Sequence, residues 1–488
     1  MQKKSDFCIR IDNQLIPLII FSNSLLKTHT MALKETVSGF RGTFGNIPGE
    51  NLTPYEIVNY AATYGNWLNN QFSHPKIVVG RDGRITGEIV SELAINTLLS
   101  MGIDVIDLGY STTPTVEMAV THHEATGGII FTASHNPKEW NAFKFLNQNG
   151  EFLSANNIQL LLDNLQKKNY AFAQVSDLGV RTKIDNEHLY HIQKVLDDEL
   201  VDAELVKTAK FKVVVDTINS TGSLVIPELL EQMGCEVVLL NGKIDGEFAH
   251  NPEPVEKNLR ILTKAVVEEK ANLGIAVDPD VDRLVFVSEK GDFFGEEYTL
   301  VAVADYVLSK KKGAVVSNMS SSFALADVAK KYDCERFESA VGEVHVVQKM
   351  KEVGAVIGGE GNGGIIYPPL HHGRDAIIGI ALFLTYMVTS GRKASSLRNS
   401  YPSYYLSKNK VTLPQERINE VITRLQDKYK KYKTNMDDGL KIYLDAGWVH
   451  IRASNTEPIM RIISESTTPT VAENLSEKIM MDIGEMVF

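Results

Sequence analysis

The sequence predicts an α/β protein: three related mixed-sheet α/β domains and a C-terminal α+β domain, arranged around a central cleft. Two observations carry this. A unit of apolar strand, polar loop, helix and second strand recurs three times, starting at KIVVGRDGR, FKVVVDTINSTGS and GAVVSNMSSS. Strands alternating with helices imply layered sheets, and a repeated unit implies repeated domains. After Ser400 the order changes, and strands cluster between helices, as in a small α+β domain. The boundaries expected are 31–180, 181–292, 293–400 and 401–488, with 1–30 a poorly ordered N-terminal extension.

Taken in order, ALKETVSGFRGTFG reads as a short strand entering a glycine-punctuated loop that carries Arg41. Thr53-Pro54 opens an amphipathic helix, with threonine as cap and proline in the first turn. KIVVGRDGR is a strand ending in Arg81, Asp82 and Arg84; the helix GEIVSELAINTLLSMG and the strand IDVIDLG follow. The second unit closes with CEVVLLNG and the third with CERFESAVG. Beyond Ser400 come YPSYYLSKNKVTL, a charged helix over about 416–433, the strands LKIYL, WVHIRAS and MRIISES, and a last helix from about Val471. The run Lys428 to Lys433 is expected to be a solvated helix face. Trp67, Trp140, Cys235 and Cys334 are expected to pack in the interior.

Composition narrows the function. A chain of 488 residues with 43% hydrophobic residues can bury several cores. A net charge of −11 argues against a broad nucleic-acid surface, yet leaves room for a small anion held by local arginines. Three scattered cysteines make neither a disulfide framework nor a zinc site. No run is apolar enough to span a membrane, and Asp6 and Asp12 do not suit a signal peptide. The expected compartment is the cytoplasm, and the expected assembly a monomer or homodimer.

Four stretches carry chemistry. FTASHNPKEWNAFKF follows the buried strand GGII and puts Ser134, His135 and Lys144 near a strand end. A serine hydroxyl needs activation before it attacks anything, so the companions matter; a capped turn is the plainer alternative. VDPDVDR alternates Asp278, Asp280 and Asp282 before Arg283, between apolar segments. Three carboxylates so close repel unless a cation joins them or water solvates them, and their hard oxygens suit Mg²⁺. An acidic surface turn is the competing reading. GGEGNGG offers Glu360 and Asn362 in a loop whose glycines admit a ligand closely; Glu360 suits a pair of sugar hydroxyls. RASNTEP offers Arg452, Ser454, Asn455 and Thr456 as donors of a phosphate cradle, with Arg461 nearby. Nucleophile, metal cluster, polyol contact and phosphate cradle together fit phosphoryl transfer.

With TASHNP, DPDVDR, GEGNGG and RASNTEP in that order from Met31 onward, the chain resembles the α-D-phosphohexomutase superfamily. The resemblance implies an enzyme, an isomerase moving a phosphoryl group between the 6- and 1-positions of a hexose. It implies Ser134 as a phosphoserine and one Mg²⁺ held by Asp278, Asp280, Asp282 and the serine's phosphate. It implies a hexose 1,6-bisphosphate as intermediate and activator, and a sugar phosphate as the small-molecule partner. Glu360 and Asn362 would face the sugar, and Arg452, Ser454, Asn455, Thr456 and Arg461 its phosphate. Arg41, His135, Lys144 and Arg283 would surround the phosphoserine, Lys144 and Arg283 as acid–base candidates. Where many members read GE-x-S-G-H, this chain has Asn362 and Gly364; His371 and His372 are the nearby candidates to compensate. Asp375 is expected to cap the helix AIIGIALFL rather than touch sugar. The GEGNGG form resembles phosphoglucosamine mutases and phosphomannomutases alike; glucosamine 6-phosphate is the expected substrate because peptidoglycan precursors require it in most bacteria, with phosphomannomutase or phosphoglucomutase as alternatives. A phosphatase or kinase-like enzyme and a non-catalytic sugar-phosphate sensor are the readings from other classes.

Overall fold

The computed structural model describes residues 33–36, 39–454 and 459–487. The extension expected over 1–30 lies outside the described residues. Four sheets make up the rest. The first contains β1 (Lys34–Thr36), β2 (Gly39–Thr43), β3 (Lys76–Arg81), β4 (Asp104–Tyr110), β5 (Gly127–Phe131), β6 (Trp140–Leu146) and β7 (Arg181–Lys183), in the order β1-β2-β6-β5-β3-β4-β7. The second contains β8 (Lys212–Asp216), β9 (Glu236–Leu240), β10 (Leu273–Val277) and β11 (Leu284–Ser288), ordered β11-β10-β8-β9. The third contains β12 (Val315–Asn318), β13 (Arg336–Ser339), β14 (Ile357–Glu360) and β15 (Gly364–Ile366), ordered β13-β12-β14-β15.

These three sheets share one plan. In β6-β5-β3-β4, β11-β10-β8-β9 and β15-β14-β12-β13, one antiparallel strand lies beside three parallel ones. The turns β5–β6, β10–β11 and β14–β15 are therefore equivalent, each at the carboxyl end of a parallel strand, where open α/β sheets bind ligands. They hold residues 132–139, 278–283 and 361–363. Strands β5, β10 and β11 are buried at every residue, as strands covered on both faces must be.

Local chemistry agrees with the elements. Thr53 and Glu56 form a capping box at the start of helix Pro54–Asn69, with proline in the first turn. Arg41 differs from expectation: it lies within β2, opposite Ala142 of β6, and not in a loop. The loop reading fails because flanking glycines mask a strand whose pairing is long-range. The first sheet also reaches residue 183, since β7 pairs in parallel with β4.

The fourth sheet is antiparallel: β16 (Tyr405–Thr412), β17 (Lys433–Asn435), β18 (Leu440–Leu444), β19 (Gly447–Ala453) and β20 (Ile459–Ser466), ordered β16-β20-β19-β18-β17. In the charged run at 428–433, Lys428, Lys430, Lys431 and Lys433 are exposed as expected, but the run is not a helix face. Helix Gln415–Lys428 stops where the run begins, the chain turns, and Lys433 opens β17. Tyr429 is buried there with its hydroxyl on Asp482 Oδ2 at 2.6 Å, an anchor that charge counting does not reveal.

Each of the three α/β sheets has a smaller apolar cluster of its own besides the main interiors. A single apolar interior runs from Ile192 to Tyr401 under both the second and third sheets, whereas the first and fourth keep their own. Trp67 and Cys235 are buried as expected, while Trp140 and Cys334 are half-buried. Among the described residues no helix is long and apolar enough to cross a membrane.

Glu297, in the first turn of helix Glu296–Lys310, braces the β14–β15 turn from behind. Its Oε2 accepts from Ser322 N at 2.9 Å, and a Cβ on Gly361 would meet that oxygen at 2.0 Å. Burial pushes its carboxyl up to about 8. The folded protein thus keeps a proton that the unfolded chain releases near 4.5. This contribution to stability is complete below that value and lost as pH rises towards about 8. Urea midpoints of Glu297→Gln should therefore fall less between pH 5 and pH 8 than those of the parent; parallel falls would contradict the assignment.

Candidate active site

Ser134 lies in the β5–β6 turn with φ at +48°, a left-handed conformation uncommon outside glycine and a form of stored strain. Arg84, from the turn after β3 and 1% exposed, holds that turn together. Its guanidinium donates to the carbonyls of Ser134 (2.5 Å), Asn136 (2.8 Å), Pro137 (2.7 Å) and Trp140 (2.8 Å). Its Nε donates to Asp82 Oδ2 at 3.0 Å, which also accepts from Thr132 Oγ1 at 2.6 Å. All five guanidinium hydrogens are thereby used. In the sequence Arg84 stands at a strand end without an evident role; the charged tail of KIVVGRDGR is the one signal that could have found it.

Ser134 Oγ donates to Asp278 Oδ2 at 2.7 Å and stands 3.3 Å from His135 Nδ1. Burial, followed by the charge of Arg283, holds His135 well below the usual imidazole range, so the ring is neutral. Arg41 lies near enough to act on the same ring.

Asp278, Asp280 and Asp282 are each 0% exposed, which excludes the acidic surface turn. Their ligand oxygens lie within 4.8 Å of one another. Asp280 Oδ2 accepts from Lys144 Nζ (2.6 Å) and Thr113 Oγ1 (2.6 Å); Asp282 Oδ2 accepts from Lys144 (3.2 Å) and Arg374 Nη2 (2.6 Å). Asp278 Oδ1 accepts from the backbone of Arg283 at 3.1 Å. Among the described residues, Asp280 Oδ1 and Asp282 Oδ1 have no hydrogen-bond partner although buried. Buried acceptors are almost always satisfied, so these two oxygens, converging with Asp278, fit a hard divalent cation. Burial, then Asp282 and Asp280, drive Asp278 well above the normal carboxylate range, as expected of like charges awaiting a counterion. Burial alone would pull Lys144 down, but Asp280 and Asp282 outweigh it and keep the ammonium charged.

Glu360 ends β14. Its Oε1 accepts from Asn318 Nδ2 (2.9 Å) and Gly342 N (3.0 Å), and its Oε2 from Arg374 Nη1 (3.1 Å) and, weakly, Asn362 Nδ2 (3.4 Å). Arg374 is the second residue that sequence reasoning misses, its neighbour Asp375 carrying the only local signal. Asp375 does cap helix Ala376–Ser390, through Oδ1 to the amides of Ile377 and Ile378. Its Oδ2 meets His191 Nε2 (2.9 Å) and His371 Nε2 (3.2 Å), and His191 Nδ1 meets Thr115 Oγ1 (3.0 Å). The cap's own hydrogen bonds account for that cluster. His371 is thus committed to Asp375, and His372 faces Glu151 at 4.0 Å. The side chain that reaches Glu360 from this segment is Arg374.

Arg452 ends β19 opposite Arg461 of β20, and Arg461 is in turn opposite Lys410 of β16. Like charges side by side on a sheet repel, which an anion at that end relieves. Arg452 Nη1 donates to Asp438 Oδ2 at 2.8 Å, and the same oxygen accepts from Val341 N at 3.0 Å. Ser454 is buried and donates its N–H to Ile459 O. Asn455 and Thr456 lie outside the described residues. Serine turn, aspartate loop and Glu360 are thus joined directly or through Arg374, while Arg452 of the fourth sheet connects to them through Asp438 and the Val341–Gly342 amides.

Comparisons with known proteins agree. Residues 34–171, 187–291 and 295–405 match the phosphoglucomutase/phosphomannomutase alpha/beta/alpha domains I, II and III, and residues 410–481 match the C-terminal domain. A phosphoglucomutase/phosphomannomutase of Thermococcus kodakarensis is 38% identical over 89% of this chain and 96% of its own length. A probable phosphoglucosamine mutase of Methanopyrus kandleri is 34% identical over 90% and 95%. A solved phosphoglucomutase/phosphomannomutase family protein of Burkholderia thailandensis superposes with a TM-score of 0.81 at 23% identity, covering 93% of this chain and 97% of that one. The chain belongs to the phosphoglucomutase/phosphomannomutase family of the α-D-phosphohexomutase superfamily and is a phosphohexomutase, an isomerase that transfers a phosphoryl group within a sugar phosphate.

Proposed function

We propose that this phosphohexomutase interconverts hexose 6-phosphate and hexose 1-phosphate through a phosphoserine at Ser134 and a 1,6-bisphosphate, with glucosamine 6-phosphate as preferred substrate. The observation that carries the mechanism is Ser134 Oγ, 2.7 Å from Asp278 inside a buried three-aspartate loop. Mg²⁺ held by Asp278, Asp280, Asp282 and the serine's phosphate would neutralise the equatorial oxygens of the transferred group.

The chain's own residues account for the rest. The bond from phosphorus to Ser134 Oγ breaks as a bond forms to the sugar's free hydroxyl, whose proton passes to a base. Ser134 Oγ takes up a proton as it leaves, so the transfer is proton-neutral; His135, 3.3 Å from Oγ and on the serine's side of the phosphorus, serves that oxygen and not the in-line attacking hydroxyl. Lys144 stays charged between Asp280 and Asp282, so it neutralises or donates rather than abstracts. Arg41 and Arg283 add positive charge around the serine. Glu360 and Asn362 take sugar hydroxyls, and Arg452, Ser454, Asn455, Thr456 and Arg461 hold the phosphate that does not move. Once the bisphosphate turns end for end, Ser134 takes back the other phosphoryl group. The fourth sheet, with its own core, is the part able to move while that happens.

Support for glucosamine comes from archaeal relatives named probable phosphoglucosamine mutase; the Thermococcus kodakarensis name supports glucose or mannose instead. Comparison of kcat/KM on the three hexose 6-phosphates, each primed with its 1,6-bisphosphate, separates them. Glucosamine 6-phosphate should lead by at least about tenfold, the discrimination one sugar substituent can supply. A lead for mannose or glucose would move the substrate and leave the reaction class intact.

A further inference from the structure

We propose that Arg374 is a positioning residue that joins the metal loop to the sugar-binding turn, in space that Gly364 leaves open, and so couples sugar binding to metal binding. The inference rests on Glu360 contacting the sugar. Arg374 is 8% exposed and forms three ion pairs on three elements. Nη2 meets Asp282 Oδ2 at 2.6 Å, Nε meets Glu343 Oε2 at 2.9 Å, and Nη1 meets Glu360 Oε2 at 3.1 Å. One rigid guanidinium plane thus fixes an aspartate of the β10–β11 turn relative to the glutamate at the β14–β15 turn.

Gly364 makes this reach possible. A Cβ there would lie 2.4 Å from Arg374 Cδ and 3.1 Å from its Cγ. The glycine is therefore required by the arginine's aliphatic stem, and the two positions act as one device.

Glu360 shows what the device does to the sugar site. A carboxylate has about four acceptor positions, and Asn318, Gly342 and Arg374 fill three with bonds of 2.9 to 3.1 Å. The fourth is held by Asn362 at 3.4 Å, so a hydroxyl arriving at Glu360 displaces that bond and no other. Arg374 selects which lone pair meets the sugar. At its other end it places a positive charge against Asp282, which opposes a divalent cation on the same carboxylate.

These two effects have opposite signs, and calorimetry on the full-length protein reads both. Glucosamine 6-phosphate and glucose 6-phosphate are titrated into metal-free enzyme, and Mg²⁺ into sugar-free enzyme. In Arg374→Gln the sugar phosphate should bind about tenfold more weakly, about 1.4 kcal/mol, while Mg²⁺ binds more tightly. Gly364→Ala, which keeps every charge and displaces the stem, should weaken the sugar phosphate by several-fold. Should Arg374→Gln fail to fold, the sugar affinity of Gly364→Ala decides alone. Sugar affinity unchanged in Gly364→Ala, or both affinities falling together in Arg374→Gln as general damage would cause, overturns the proposal. Glu360→Gln separates the premise: if it leaves sugar affinity intact, the sugar-site reading itself falls. If it weakens binding while the Gly364 and Arg374 variants do not, only the coupling falls.

Discussion

Ser134→Ala is expected to lower kcat by on the order of 10⁴-fold or more, with the fold and thermal midpoint retained. In the proposed mechanism this hydroxyl forms and breaks the bond to phosphorus, and removing a covalent nucleophile has costs of this order. Its removal disturbs little else. The backbone of residue 134 is held by Arg84 and Thr132 and not by Oγ, whose one short bond is to Asp278. Alanine at φ +48° keeps the same strain, so the turn should persist. Two measurements check this: turnover of hexose 6-phosphate in the presence of bisphosphate, and the intact mass after incubation with that bisphosphate. The parent should gain one phosphate and the variant none. Undiminished turnover, or phosphate on the variant, would place the nucleophile elsewhere.

Arg84→Met should give the second largest effect, on stability and rate together. It strips a cation from buried Asp82 and leaves the carbonyls of Ser134, Asn136, Pro137 and Trp140 without their shared donor. Breaking a buried pair of this kind costs about 3–5 kcal/mol. With the turn loosened, the serine loses its near-attack geometry, and displacements of about 1 Å lower rates on the order of 10²-fold. Lysine carries the charge on a single nitrogen and lacks the planar fork, so Arg84→Lys should recover little. Urea denaturation and kcat of both variants decide it; parent-like behaviour of the lysine form would show that charge alone matters.

Much of the fold and site is legible in the sequence, and the misses share one cause. The three α/β units, the C-terminal α+β domain and the aspartate loop can be read because each depends on residues close together in the chain. Asp278, Asp280 and Asp282 sit between two apolar strands, so their burial follows from their neighbours. Arg84 and Arg374 cannot be read this way. The partners cited are 50 and 92 residues distant, at Ser134 and Asp282, and only the folded arrangement of strands reveals them. Arg41 reads as a loop residue for the same reason, its strand being defined by a partner at Ala142. Gly364 looks like a departure from pattern and proves to be half of an arrangement whose other half lies ten residues on. The helix expected through Lys433 ends early because Tyr429 is anchored on Asp482, a contact without local signal.

The common interior beneath the second and third sheets gives the catalytic groove one stiff jaw and one compliant jaw. Metal carboxylates and the Glu360 turn ride on the same slab of close-packed side chains, so their separation behaves as a fixed gauge for the sugar ring. The arginines at the far end ride on a separate slab, docked through the Phe323 ring against Tyr443 and Trp448 and through polar bridges such as Asp438–Val341 and Lys441–Glu338. The proposed turnover of a bisphosphate calls for such asymmetry: firm calibration at the serine and metal loop, and give at the fourth sheet, where the proposal puts the spectator phosphate.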